Sequence, residues 1–137
     1  MRRLSAIIGV ADVAKSFHWY QQLLGCAPSA PAHDYFGQIV DNDGTVLLCL
    51  HEWEAHGHPT LRSPGAAQPG NGPGNGPGNG LILFFRVDDY ESVLRRAQAL
   101  GSTLAEEPHV NPATGTREFA LRDRDGYYVM ISEASRT

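Results

Sequence analysis

Two groups of side chains in this sequence have the types and proximity that chemistry needs. The run His51-Glu52-Trp53-Glu54-Ala55-His56-Gly57-His58 gathers three imidazoles and two carboxylates within eight residues. Such groups can hold zinc, and His51 or Glu52 can serve as acid or base. The spacing matches no rigid ligand motif, however, so the run reads as a mobile polar segment following a strand. His109, Asn111, Arg117 and Glu118 flank a Pro-containing loop over 107–115, where they either touch a ligand or cap a turn. His18 sits beside Trp19, off the apolar stripe of its helix, and reads as a surface residue or a dimer contact.

The elements that position these groups occur twice. Val10-Ala11-Asp12 opens an amphipathic stretch that closes at Leu24-Gly25, and Val87-Asp88-Asp89 opens another that closes at Leu100-Gly101. In the first, Asp12 supplies a short N-cap acceptor, and Val13, Phe17, Tyr20 and Leu24 follow at helical spacing. In the second, Asp88 or Asp89 caps a helix whose stripe is Tyr90, Val93, Leu94, Ala97 and Leu100. Apolar runs at 6–10 and 81–87 precede the helices as strands. After them come strands at 35–40 and 45–52 in the first half, with an irregular or edge strand over 26–32. The second half has strands at 102–106, 116–122 and 127–132. Asp43-Gly44 and Asp125-Gly126 are the turns into the last strand of each half.

This pattern predicts an α+β fold of two βαβββ modules, residues 1–62 and 81–137, within one structural domain. Residues 63–80, with Pro-Gly-Asn-Gly three times in tandem from Pro69, read as a flexible linker. A length of 137 residues with 42% hydrophobic side chains can bury a core without disulfides. Cys26 and Cys49 then read as buried thiols of a reducing, cytoplasmic setting. The net charge of −4 argues against nucleic acid, and no apolar run approaches a membrane span. The apolar run after Met1-Arg2-Arg3 stops at Asp12, so no export signal is expected.

Val10, Asp12, Phe17, Tyr20, Leu24 and Gly25, with Val87, Asp88, Leu100, Gly101, Asp123, Asp125, Gly126 and Tyr127, carry a resemblance. On these residues the chain resembles the vicinal oxygen chelate superfamily of glyoxalases, extradiol dioxygenases and bleomycin-resistance proteins. The resemblance implies paired modules whose sheets curl around a cavity. It also implies a divalent metal held by His and Glu, one from each of four strands. Counted from the repeated landmarks, those positions fall at Ser5, Leu48, Ile82 and Met130. None suits a hard or borderline cation, so no metal or other cofactor is expected.

Strand alternation from these positions points Ser5, Ile7, Gly9, Val46, Leu48, Leu50, Glu52, Ile82, Phe84, Arg86, Tyr128, Met130 and Ser132 inward. The opposite set, from Ala6, Ile8 and Val10 to Val129 and Ile131, is apolar throughout and suits a helix-covered face. An apolar wall with sparse polar groups is the composition of a ligand pocket. The candidate binding residues are Ser5, Leu48, Leu50, Glu52, Ile82, Phe84, Arg86, Tyr128 and Met130. Trp53 is a further stacking surface. The expectation is a metal-free, homodimeric protein that sequesters an aromatic or antibiotic-like small molecule. The alternatives are a lyase or isomerase using Glu52, His51 or Tyr128 as acid or base, a dioxygenase-like enzyme with displaced metal ligands, and a scaffold subunit.

Overall fold

Helix α1 begins where Asp12 holds an extended backbone (φ −139°) and its carboxylate accepts the Lys15 N–H at 2.9 Å. It runs Val13–Leu24 and stops at Gly25, whose φ of 71° lies in the left-handed region that glycine favours. The computed structural model describes residues 1–55, 61 and 79–134. His56, His58 and all of the 63–80 linker except Asn79 and Gly80 lie outside them.

The chain divides into two compact units, Met1–Ala67 and Gln68–Thr137. In the first, β1 (Ile7–Val10), β2 (Phe36–Val40) and β3 (Val46–Glu52) form a sheet ordered β1-β3-β2, with β1 parallel and β2 antiparallel to β3. The strand expected over 26–32 is absent: that region has only an isolated bridge from His33 to Phe36. Pro28 and Pro31 withhold the N–H groups a ladder there would need. Helix α1 buries Val13, Phe17, Trp19, Tyr20 and Leu23. Trp19 and Leu23 thus join the core, while Leu24 of the expected stripe is only partly covered.

The second unit contains β4 (Ile82–Val87), α2 (Tyr90–Ala99), β5 (Leu104–Val110), β6 (Arg117–Arg122) and β7 (Tyr128–Glu133). The sheet order is β4-β7-β6-β5, with β4 and β7 parallel and the other pairs antiparallel. Tyr90 of α2 packs edge-on against Phe119, which identifies the helix-covered face. Leu83, Phe119, Leu121, Val129 and Ile131 are buried on that face. Asp89 occupies the N-cap of α2 without capping it; its carboxylate instead pairs with Arg96 at 3.0 Å. No helix among the described residues is long and apolar enough to cross a membrane.

The two sheets differ in register, and this corrects the expected orientation of β3. In the second unit Phe84 pairs with Met130 and Ile82 with Tyr128, so alternation holds as read from the sequence. In the first, Ile39 pairs with Leu48 but Val40 pairs with Val46, leaving Leu47 as an extra residue. A bulge of this kind reverses the parity of everything beyond it. Leu48 and Leu50 therefore share a face with Ile39, Gly37 and Ile8. That face lies under α1, because a β-carbon on Gly37 would meet the Phe17 ring at 2.9 Å. Leu48 and Leu50 are 1% and 0% exposed; they are core residues and not part of an open wall. Glu52 follows them in parity and pairs with Val10 at the exposed strand end. Cys49 and His51 take the opposite face, with Ile7 and Gly9.

Candidate functional site

The face of the second sheet turned away from α2 carries large side chains with no cover. Ile82 is 55% and Phe84 46% exposed, Arg86 is exposed, and Tyr128 and Met130 are half-buried. Pairing arranges this face in rows. Ile82, Tyr128 and Arg122 form the first, then Phe84, Met130, Ala120 and Glu106, then Arg86, Ser132, Glu118 and His109. Five of the expected binding residues, Ile82, Phe84, Arg86, Tyr128 and Met130, come together here.

A cleft of about 230 Å³ opens at the third row, lined by Phe84, Arg86, Asn111, Thr114, Thr116, Glu118, Ser132 and Glu133. The guanidinium of Arg86 lies 5.5 Å from the centroid of the Phe84 ring. Among the described residues no carboxylate pairs with it. At the floor, the Ser132 hydroxyl donates to Thr116 Oγ1 at 3.4 Å, and the hydroxyls of Thr116 and Thr114 are 2.7 Å apart.

Both acidic side chains of the cleft have partners that lie outside its lining. Glu133 accepts from the Arg117 backbone N–H at 2.9 Å and from two guanidinium nitrogens at 3.1 Å. Arg117 also pairs with Glu91 and lies over the Tyr90 ring. Glu118 is buried and meets His109 Nε2 at 3.1 Å, while His109 Nδ1 faces the Glu107 carbonyl at 2.7 Å. With oxygen acceptors at both ring nitrogens, the imidazolium is favoured. The Glu107 carbonyl, then Glu118, raises the His109 pKa above its ordinary value. Glu106 stands 3.8 Å from the same nitrogen and accepts the Tyr128 hydroxyl. Desolvation and that bond hold the Tyr128 phenol up at about 12, so it acts as a donor and not as a base.

Sequence reasoning placed His109 and Glu118 beside a loop and missed Glu106, because it ended the strand there. The strand continues through Pro108 to Val110, with two irregularities against β6. As the sheet edge, β5 can lose the Pro108 N–H without breaking a ladder bond on its outer side. The connection tightens at Asn111, whose carbonyl accepts the Gly115 N–H at 2.7 Å. The signal available was the nine-residue separation of His109 and Glu118 about an Asn-Pro-Ala-Thr-Gly turn.

In the first unit, the uncovered face is built differently. Ser5 is exposed ahead of β1, and Ile7 is 52% exposed. Gly9 lies under Trp53, and His51 is buried with its ring against Tyr35 and Phe36. His51 Nδ1 faces the Glu52 carbonyl at 2.8 Å. His51, the described histidine of the run, is thus packed against aromatics.

Residues 3–131 match the family model described as the Glyoxalase/Bleomycin resistance protein/Dioxygenase superfamily. The chain belongs to this superfamily. Solved structures agree at the level of fold. A glyoxalase/bleomycin resistance protein from Catenulispora acidiphila is 21% identical, with 98% of this chain and 99% of that chain covered and a TM-score of 0.61. TioX from a Micromonospora species is 14% identical, with 97% and 98% covered and a TM-score of 0.64. A possible glyoxalase from Bacillus cereus is 18% identical, with 96% and 98% covered and a TM-score of 0.59. No curated protein matches the chain.

The metal implied by superfamily resemblance does not fit the side chains at its positions. The second unit offers a hydrocarbon at Ile82 and a thioether at Met130. The first offers Ser5 and, after the bulge, Cys49 in place of Leu48. Among the described residues no group of three or more His, Cys, Asp or Glu side chains gathers as metal ligands.

Proposed function

We propose that this superfamily member binds a small, partly aromatic molecule on the uncovered face of its second sheet without a resident metal. The observation that carries the reading is the strip of Ile82, Phe84 and Met130, left open beside a polar-floored cleft. Removing that strip from water favours an apolar ligand by about 25 cal/mol per Å² covered. Arg86 and the hydroxyls of Ser132 and Thr116 supply the few polar groups that orient it. Calorimetry and thermal shift against a panel of aromatic compounds test the reading, and saturable binding is the expected result. A flat response across the panel contradicts it. Elemental analysis tests the metal-free part: a stoichiometric divalent metal, lost on replacing His51 or His56, contradicts that part.

A second reading, acid–base catalysis by a lyase or isomerase, draws on His109 between Glu106 and Glu118. A protonated imidazole held on the same face as the apolar strip can donate to a bound substrate. Turnover of a bound compound that disappears in His109→Gln, with binding retained, favours this reading over simple sequestration.

A further inference from the structure

We propose that the ligand of the second sheet is a monocarboxylic acid with a planar apolar body, its carboxylate held by Arg86. This rests on the binding reading above and adds the ligand class.

Arg86 differs from its neighbours in that its side chain has no ion pair or hydrogen bond among the described residues. Arg96 and Arg117 are in ion pairs, and Arg122 donates to the Gly126 carbonyl at 2.9 Å. Arg86 makes a ring contact with Phe84 and, among the described residues, pairs with no anion. A guanidinium presents its donors as a planar fork that matches a carboxylate in two parallel hydrogen bonds. The residue paired with Arg86 across the strands is Ser132, which adjoins Thr116 and Thr114 on the cleft floor. The chain of hydroxyls leaves one threonine proton free, which with the Asn111 amide N–H2 can donate to a further oxygen of the ligand.

The apolar part has one direction to go. From Arg86 the uncovered face continues along β4 to Phe84 and Ile82, with Met130 beside Phe84. A cleft of about 230 Å³ suits a ring-sized acid whose body extends over that strip. Charge selects a monoanion over a dianion such as a phosphate ester. Glu118 and Glu133 border the same cleft, and their partners His109 and Arg117 are each shared with a second carboxylate, Glu106 and Glu91. A second negative charge on the ligand meets those carboxylates with only Arg86 to balance it.

The test uses 2-naphthoate, its neutral analogue 2-naphthylmethanol and the dianion 2-naphthyl phosphate. Each is titrated calorimetrically into the whole chain and into Arg86→Gln and Arg86→Lys, with circular dichroism to verify folding. The wild type is expected to bind naphthoate at least about tenfold tighter than the alcohol and the phosphate, the scale of one charge-assisted contact. Arg86→Gln removes that margin and leaves the alcohol unchanged, and Arg86→Lys recovers it in part. If Arg86→Gln does not fold, Arg86→Lys carries the comparison through the same ratio. Equal affinity for acid and alcohol, or naphthoate binding indifferent to both substitutions, overturns the carboxylate assignment and leaves the binding reading standing. Tighter binding of the phosphate overturns the monoanion selection. Failure of all three probes to bind overturns the planar monocarboxylate assignment, and the binding reading falls with it only if the wider aromatic panel is flat as well.

Discussion

Trp53 packs against Gly9 so closely that a β-carbon at position 9 would come within 2.3 Å of its ring. The glycine is thus required by space on the uncovered face of the first sheet. Gly9→Ala must push the indole out, at about 1–3 kcal/mol for an overpacked site. Urea denaturation is expected to show that loss in the single variant. A Gly9→Ala/Trp53→Ala double variant should cost less than the two single changes summed, because the clash has gone. Additive losses would show that the indole does not sit there.

The bulge at Leu47 separates two residues that the repeat makes equivalent. Leu48 is sealed in the first core, whereas Met130 is half-buried on the second sheet's open face. Leu48→Ala should cost about 2–5 kcal/mol, as for a filled core site. Met130→Ala should cost clearly less and weaken ligand binding instead. Denaturant midpoints with parallel titrations of 2-naphthoate check both. Similar stability losses at the two positions would argue for a common register and against the bulge.

His109 gives the second sheet a pH dependence of defined sign. It faces Glu106 and the Glu107 carbonyl on its own strand and Glu118 on β6; Tyr128 on β7 engages Glu106. Its folded pKa is raised above the ordinary imidazole value of 6.5, first by the Glu107 carbonyl. Folding therefore favours proton binding, and the stabilisation is full below 6.5 and lost as pH rises through the raised value. The thermal midpoint is expected to fall across that window, and the fall should shrink in His109→Gln. Scans by circular dichroism from pH 5.5 to 8.5 read this. A variant that keeps the full slope rules out His109 as its source.

What could be read from the sequence follows how clearly each segment alternates. Both helices were legible because their stripes and terminal glycines agree. Asp12 reads as the cap of the first helix and Asp88 or Asp89 as that of the second; Asp12 bonds a helix N–H, while Asp89 is drawn to Arg96. In β4 and β7 the parity of Phe84, Arg86, Tyr128 and Met130 was correct. In β3 it failed, because Val46-Leu47-Leu48-Cys49-Leu50 is apolar at every position and carries no alternation to expose a bulge. Pro108 concealed the outer half of β5, and with it the approach of Glu106 to Tyr128. Glu106 also lies between two irregularities in strand pairing, which no local residue pattern announces.

Binding on the second sheet can be read most directly at Met130. The chain has only two methionines, Met1 and Met130, so ¹³C-methyl labelling gives two signals. Met130 lies beside Phe84 on the open strip, and Met1 is fully exposed and remote from it in sequence. Titration with 2-naphthoate is expected to move the Met130 methyl resonance to a saturating endpoint while Met1 stays in place. Saturable binding by calorimetry with a stationary Met130 signal would contradict the account, because the ligand would then be held elsewhere.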